Sequence, residues 1–226
     1  MQASRDRMKV LLFGATGMIG QGVLRQALID SGVEKLLVVG RTPTGRHDPK
    51  LRELVVADVS DLSTVEPELA GFDACLFCLG VSSAGMQEPR YTQLTYDLTL
   101  AVATTLARLT PGMTFVYVSG AGTDSTERGR LMWARVKGRT ENALLRLPFR
   151  AAYMVRPGVI IPERGIRSRT RWYQTLYDIT RPLYPLLKRL GPGAVTTTEQ
   201  MGRAMLALAR SGYSKPILEM RDINAL

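Results

Sequence analysis

Short apolar runs alternate along the chain with longer stretches in which apolar positions recur at helical spacing. This is the pattern of parallel strands buried on both faces and joined by crossover helices. The runs predict strands at Lys9–Phe13, Lys35–Val39, Leu54–Ala57, Ala74–Leu79, Thr114–Val118 and Ala152–Val155, with a late one near Pro216–Met220. The intervening periodicity predicts helices over about Ile19–Asp30, Ser63–Leu69, Tyr91–Leu109 and Arg130–Arg146, the last two stopping ahead of Pro111-Gly112 and Pro148. After Arg156-Pro157-Gly158 the alternation breaks down. The segment 159–195 holds Pro162, Pro182, Pro185 and Pro192 and reads as an insertion rather than another strand–helix unit. In Thr196-Thr197-Thr198-Glu199, Thr196 as cap and Glu199 three residues on form a capping box ahead of an apolar helix, Met201–Leu208. The fold expected is α/β, a doubly wound parallel sheet with a small C-terminal insertion, residues 1–226 forming one domain.

The first strand runs into Gly14-Ala15-Thr16-Gly17-Met18-Ile19-Gly20 and then into a helix. Gly14 permits the tight turn, Gly17 lets backbone N–H groups reach a pyrophosphate, and Gly20 lets helix and strand pack closely. The helix N-terminus adds partial positive charge. Strand, turn and helix in this order point to a Rossmann-type dinucleotide site. The second strand ends in Val38-Val39-Gly40-Arg41-Thr42, where an NAD-preferring site places a carboxylate for the ribose 2′-hydroxyl. Arg41 stands there, and a guanidinium pairs with a 2′-phosphate through two parallel hydrogen bonds, so NADP(H) is favoured over NAD(H). The alternative for Arg41 is a side chain that points to solvent. Asp58, at the end of the third strand, meets the adenine edge, with Val59 against its face.

Composition changes this picture little. With 45% hydrophobic and 22% charged residues the chain belongs among ordinary globular proteins, neither disordered nor fibrous. The polar start Met1-Gln2-Ala3-Ser4-Arg5-Asp6-Arg7 lacks the apolar stretch of a secretory signal, and no apolar run reaches the roughly 18 residues of a membrane span. A cytoplasmic location is expected. Cys75 and Cys78 lie three apart in a buried strand, which points them to opposite faces, and no second Cys or His pair completes a metal site. Two buried, reduced thiols and no metal are expected. His47 lies in a polar loop and reads as solvated. The net charge of +10 allows a nucleic-acid, acidic-membrane or phosphorylated partner. No nucleic-acid motif accompanies it, so none is expected, and the cluster Arg164, Arg167, Arg169, Arg171, Arg181, Lys188 and Arg189 reads first as a solvated face.

The chain resembles the short-chain dehydrogenase/reductase superfamily, in its atypical, NmrA-like and epimerase-like branch. The residues that carry the resemblance span nearly the whole chain: the glycine-rich opening, Asp58, Cys78-Leu79-Gly80, Val118-Ser119, Val136-Lys137-Gly138 and Arg156-Pro157-Gly158. The resemblance implies that Ser119 orients a substrate carbonyl and that Lys137 holds the nicotinamide ribose. Leu79 and Gly80 would lie against the cofactor, and Pro157, Gly158 and Val159 beside its nicotinamide. In such a site a Tyr four residues before the Lys moves the proton, its pKa drawn down from about 10 by the neighbouring charges. Here that position is Trp133, whose indole N–H donates a hydrogen bond and cycles no proton at neutral pH. Three readings stay open: Trp133 shapes a pocket in a protein that binds cofactor without turnover, another group such as Tyr173 or Tyr177 supplies the proton, or the ring is core packing.

The segment 159–195 follows the carboxyl ends of the strands, so it is expected as a substrate-side lid. Its stripe of Trp172, Tyr173, Leu176, Tyr177 and Ile179 beside Arg167, Arg169 and Arg171 would cover a pocket, pack in the core or rest on an anionic membrane surface. The function expected is that of an NADP(H)-dependent oxidoreductase or epimerase-like enzyme on a small carbonyl or hydroxyl substrate. A catalytically silent NADP(H)-sensing protein is the alternative.

Overall fold

The structure, a computed structural model, describes residues 7–163 and 195–226. The basic cluster, Trp172, Tyr173 and Tyr177, and almost all of the expected lid lie outside the described residues. Seven parallel strands form the main sheet: β1 Met8–Phe13, β2 Val33–Gly40, β3 Leu51–Val55, β4 Ala74–Phe77, β5 Thr114–Val118, β6 Ala151–Val155 and, skipping two strands outside it, β9 Ile217–Leu218. Their order is β3-β2-β1-β4-β5-β6-β9. The chain therefore starts in the middle, winds outward to β3, crosses back to β4 and winds outward again. The reversal leaves a crevice between the carboxyl ends of β1 and β4, the place where open α/β sheets bind ligands.

Both faces of the sheet are buried, and the period-two alternation of each strand sorts its side chains between two cores. Val10, Leu12, Ala74, Leu76, Val116 and Val118 face one core. It is covered by α1 Met18–Ile29, α6 Thr198–Ser211 and α7 Met220–Ala225. Leu11, Phe13, Cys75, Phe77, Phe115 and Tyr117 face the other. That side is covered by α2 Glu66–Leu69, α4 Leu98–Leu109 and α5 Met132–Leu144. On this second face Phe13, Phe77 and Phe115 form a row with ring centroids 5.7 Å apart at each step. Each is fully buried and contributes about 1.5–3 kcal/mol relative to exposure.

Several boundaries differ from the sequence expectations, each for a physical reason. The third strand runs Leu51–Val55 rather than Leu54–Ala57, because an edge strand tolerates Arg52 and Glu53 that an apolar-run criterion rejects. The long helix begins earlier, as α3 Glu88–Thr92, and passes through a π turn, Gln93–Asp97, before α4. The expected insertion opens and closes on strands: β7 Val159–Ile161 pairs in parallel with β8 Val195–Thr197 in a separate two-stranded sheet. Thr196 is therefore a strand residue and not a helix cap. The cap is Thr197, whose hydroxyl accepts the Gln200 N–H at 3.1 Å, one residue later than expected, and the reciprocal half of the box is not formed because the Gln200 side chain donates to the Ile223 carbonyl. The last strand does not end the chain's structure: α7 follows, opened by a capping box between Glu219 and Asp222.

Candidate functional site

The loop after β1 shapes the floor of the crevice. Gly14 takes φ +81°, and a Cβ there would stand 2.6 Å from the Cys78 carbonyl carbon, so both conformation and space require glycine. A Cβ on Gly20 would stand 2.0 Å from the Gly14 oxygen, which is how α1 comes so close beneath the turn. Gly17 meets no such obstacle inside the protein; its open side faces the crevice as the N-cap residue of α1. No side chain caps this helix end and no acidic residue sits in its first turn. Free N–H groups and the positive end of the helix are thus left for an anion.

Around this turn is a cleft of about 680 Å³. It brings together Gly14, Ala15, Thr16, Gly17 and Met18 with Arg41, Asp58, Val59, Leu79 and Gly80. Ile19 and Gly20 do not line it; they pack beneath the turn. Arg41 is exposed and makes no hydrogen bond or ion pair among the described residues. Asp58 accepts the Ser60 hydroxyl at 2.7 Å and the Ser60 N–H at 2.8 Å; these bonds, with the Arg41 charge adding to them, hold its carboxyl below the usual range. Thr42, Cys78, Val81, Leu94 and Leu98 also line the cleft and were not anticipated. Leu94 comes from the π turn, which no periodicity signals. Cys78 was expected buried within a strand, but β4 stops at Phe77 and leaves Cys78 half-buried in the cleft wall. Burial pushes its thiol far up, so it is no nucleophile. Cys75 is buried on the opposite face, as expected, and both cysteines are free. His47 is exposed in its loop, as expected.

The remaining candidates gather at the carboxyl ends of β5 and β6, the strands next to β4. Ser119 prolongs the β5 ladder, its N–H donating to the Val155 carbonyl at 2.7 Å. Its hydroxyl lies 3.1 Å from that of Thr123, which donates to the Gly120 carbonyl. Tyr117, two residues before Ser119, is fully buried on the same face, and the Lys137 ammonium sits 5.3 Å from its ring centroid. Lys137 makes no hydrogen bond or ion pair among the described residues. Burial pulls its pKa down to about 8, against a smaller upward pull from Glu141. The Tyr117 phenol is driven the other way, well above the ordinary range, by the same burial. Trp133, one turn before Lys137, is half-buried with its six-membered ring against Gly122.

The loop between Ser119 and Trp133 is fastened from within. The Asp124 carboxylate accepts the N–H groups of Thr126, Arg128 and Gly129 and the Thr126 hydroxyl. The Asp124 carbonyl presses on α5 where a Cβ at Gly138 would lie 1.8 Å away, which accounts for the glycine after Lys137. Arg156 closes the assembly from β6, binding Glu141 through Nε at 3.0 Å and a terminal nitrogen at 2.5 Å. Next to it, the Pro157 carbonyl accepts the Ala121 N–H at 2.8 Å; Gly158 and Val159 are exposed.

Comparison with known proteins agrees with this geometry. Residues 14–152, more than half of the chain, match a family described as NAD(P)H-binding. A protein of Eremothecium gossypii named "Protein FMP52, mitochondrial" is 32% identical over 70% of this chain and 68% of its own. Among solved structures, the Bordetella bronchiseptica enzyme WbmF in complex with NAD+ superposes with a TM-score of 0.67 at 14% identity, over 99% of this chain and 78% of that one. A short-chain type dehydrogenase/reductase from Mycobacterium ulcerans gives 0.64 at 17% identity, over 97% and 90%. Both structures speak to the fold. The expected cytoplasmic location is overturned by the names of the fungal relatives, which are called mitochondrial. The polar residues Met1–Arg7 and the want of an apolar span among the described residues, on which that expectation rested, do not separate the cytosol from an organelle. With its glycine turn, its seven-stranded sheet and the match over residues 14–152, the chain belongs to the NAD(P)H-binding family and shares the fold of short-chain dehydrogenase/reductase structures.

Proposed function

We propose that the protein is an NADP(H)-dependent reductase of a small carbonyl compound. The observation that carries this reading is the Lys137 ammonium, unpaired among the described residues, on the face of β5 that ends in Ser119. When bound, the reduced cofactor supplies a hydride to the carbonyl carbon. The backbone N–H groups at the start of α1 hold its pyrophosphate, and Arg41 takes its 2′-phosphate. The Ser119 hydroxyl donates a hydrogen bond to the carbonyl oxygen. As negative charge develops on that oxygen, the Lys137 ammonium gives up a proton to it, leaving the alcohol and a neutral amine that water reprotonates. A pKa of about 8 suits that exchange near neutral pH, whereas neither Trp133 nor Tyr117 can take part in it.

The test is NADPH consumption by the purified protein across a panel of small aldehydes and ketones. Ser119→Ala is expected to lower turnover at least about tenfold, the loss of a donor at a developing oxyanion. Turnover that is unchanged in that variant removes the proposed site. A second reading, cofactor sensing without turnover, is favoured by the Trp133 ring, which rests against Gly122 at the position where the resemblance calls for a Tyr. Under that reading the parent consumes no NADPH with any carbonyl, and Trp133→Tyr creates activity.

A further inference from the structure

We propose that Arg156 is a positioning residue which occupies Glu141 and so keeps the Lys137 ammonium unpaired at the site. Lys137 and Glu141 stand four residues apart on α5, the spacing at which opposite charges on a helix meet. Left to themselves they would pair. Glu141 is fully buried, and both of its oxygens are taken by the guanidinium of Arg156 in the two-point geometry that an ammonium cannot match. The guanidinium is in turn fixed by other partners. It donates to the Ser125 hydroxyl at 2.6 Å and to a Glu219 oxygen at 3.1 Å, while its own backbone N–H bonds the Leu218 carbonyl at 2.8 Å. Arg156 therefore stays in place whatever Glu141 does, and Glu141 cannot turn to Lys137 without losing a better partner.

Among the described residues, the groups around Lys137 are few. Tyr117 on β5 lies under its ammonium, with Tyr91 of α3 next to Tyr117, and Glu141 follows on its own helix with Arg156 behind it from β6. The Tyr117 phenol, its pKa driven up by burial, carries no charge near neutral pH. Of these, Glu141 alone can pair with the ammonium, so its engagement decides whether Lys137 is free to exchange a proton or is locked as a cation. The arrangement also gives Arg156 a role that its place beside Pro157-Gly158 does not suggest: it acts on the helix across from it rather than on a ligand.

This inference rests on Lys137 being a site residue, and its test needs no turnover. Lysine side chains labelled with carbon-13 at the ε-carbon are titrated by NMR, with the Lys137 signal assigned by its loss in Lys137→Arg. In the parent the signal is expected to titrate at about 8. In Arg156→Gln the freed carboxylate is expected to shift it upward by about one unit or more. In Glu141→Gln/Arg156→Gln, with no carboxylate to capture the ammonium, it is expected to fall back below the single variant. Should Arg156→Gln fail to fold, Arg156→Lys carries the test, since a single-point donor leaves one Glu141 oxygen open and gives a smaller shift of the same sign. A Lys137 titration that does not move in the folded variant, or a double variant as high as the single, overturns the proposal. Failure of the functional reading registers elsewhere, as absent NADPH binding by the parent, and leaves this titration interpretable.

Discussion

Arg41 follows β2 beside a cleft whose one carboxylate among the described residues, Asp58, is already engaged by Ser60. On the proposed reading, an arginine with no ion-pair partner among the described residues is what a 2′-phosphate requires. Arg41→Asp is therefore expected to weaken NADPH binding at least about tenfold, the worth of a lost charge-assisted pair, while leaving NADH binding equal or improved. Equal losses for both cofactors would mean that Arg41 serves the fold and not the phosphate. At this scale the sequence was most legible where chemistry is local. The glycine turn and Arg41 are fixed by their immediate neighbours in the chain. Thr123, the hydroxyl partner of Ser119, and Glu141, held by Arg156, were not legible, because their roles arise from contacts between separate elements.

Elements buried on both faces declared themselves through continuous apolar runs, and those runs located β1, β4, β5 and β6 closely. The pattern was weakest where burial is partial: β3 at the sheet edge, β7 and β8 outside it, and the final short helix. The π turn leaves no trace in periodicity, yet it and the start of α4 set Leu94 and Leu98 against the cleft. Helix α5 offers a sharp test of how elements hold the site. In an open helix Gly→Ala gains about 1 kcal/mol from propensity. At Gly138 the added Cβ would lie 1.8 Å from the Asp124 carbonyl, so the loop carrying Ser119 to Trp133 must shift. Overpacking costs about 1–3 kcal/mol and outweighs the gain. Gly138→Ala is expected to lower stability in urea unfolding by that margin less the propensity gain; a stabilised variant would show that the loop does not lean on the helix.

For the molecule as a whole, the order β3-β2-β1-β4 opens a crevice whose walls are backed by the two cores. Burial of Lys137 has a global consequence. Its pKa falls from 10.5 in the unfolded chain to about 8 in the fold, so between those values the unfolded state binds more protons and stability rises with pH. Lys137→Met removes that contribution. The stability of the parent relative to the variant is expected to climb from about pH 8 towards 10.5, measured by urea unfolding at a series of pH values, and a flat or falling difference would mean that the ammonium is not desolvated.

On this reading the uncapped N–H groups at the start of α1, at the positive end of that helix, receive the pyrophosphate of a nicotinamide dinucleotide. Calorimetric titration of the purified protein with NADPH and with NADH tests it most directly. Saturable binding at one site per chain, tighter for NADPH and abolished by Gly17→Glu in a variant that still folds, is the expected result. No saturation with either dinucleotide at millimolar concentration, or binding untouched by that substitution, would contradict it.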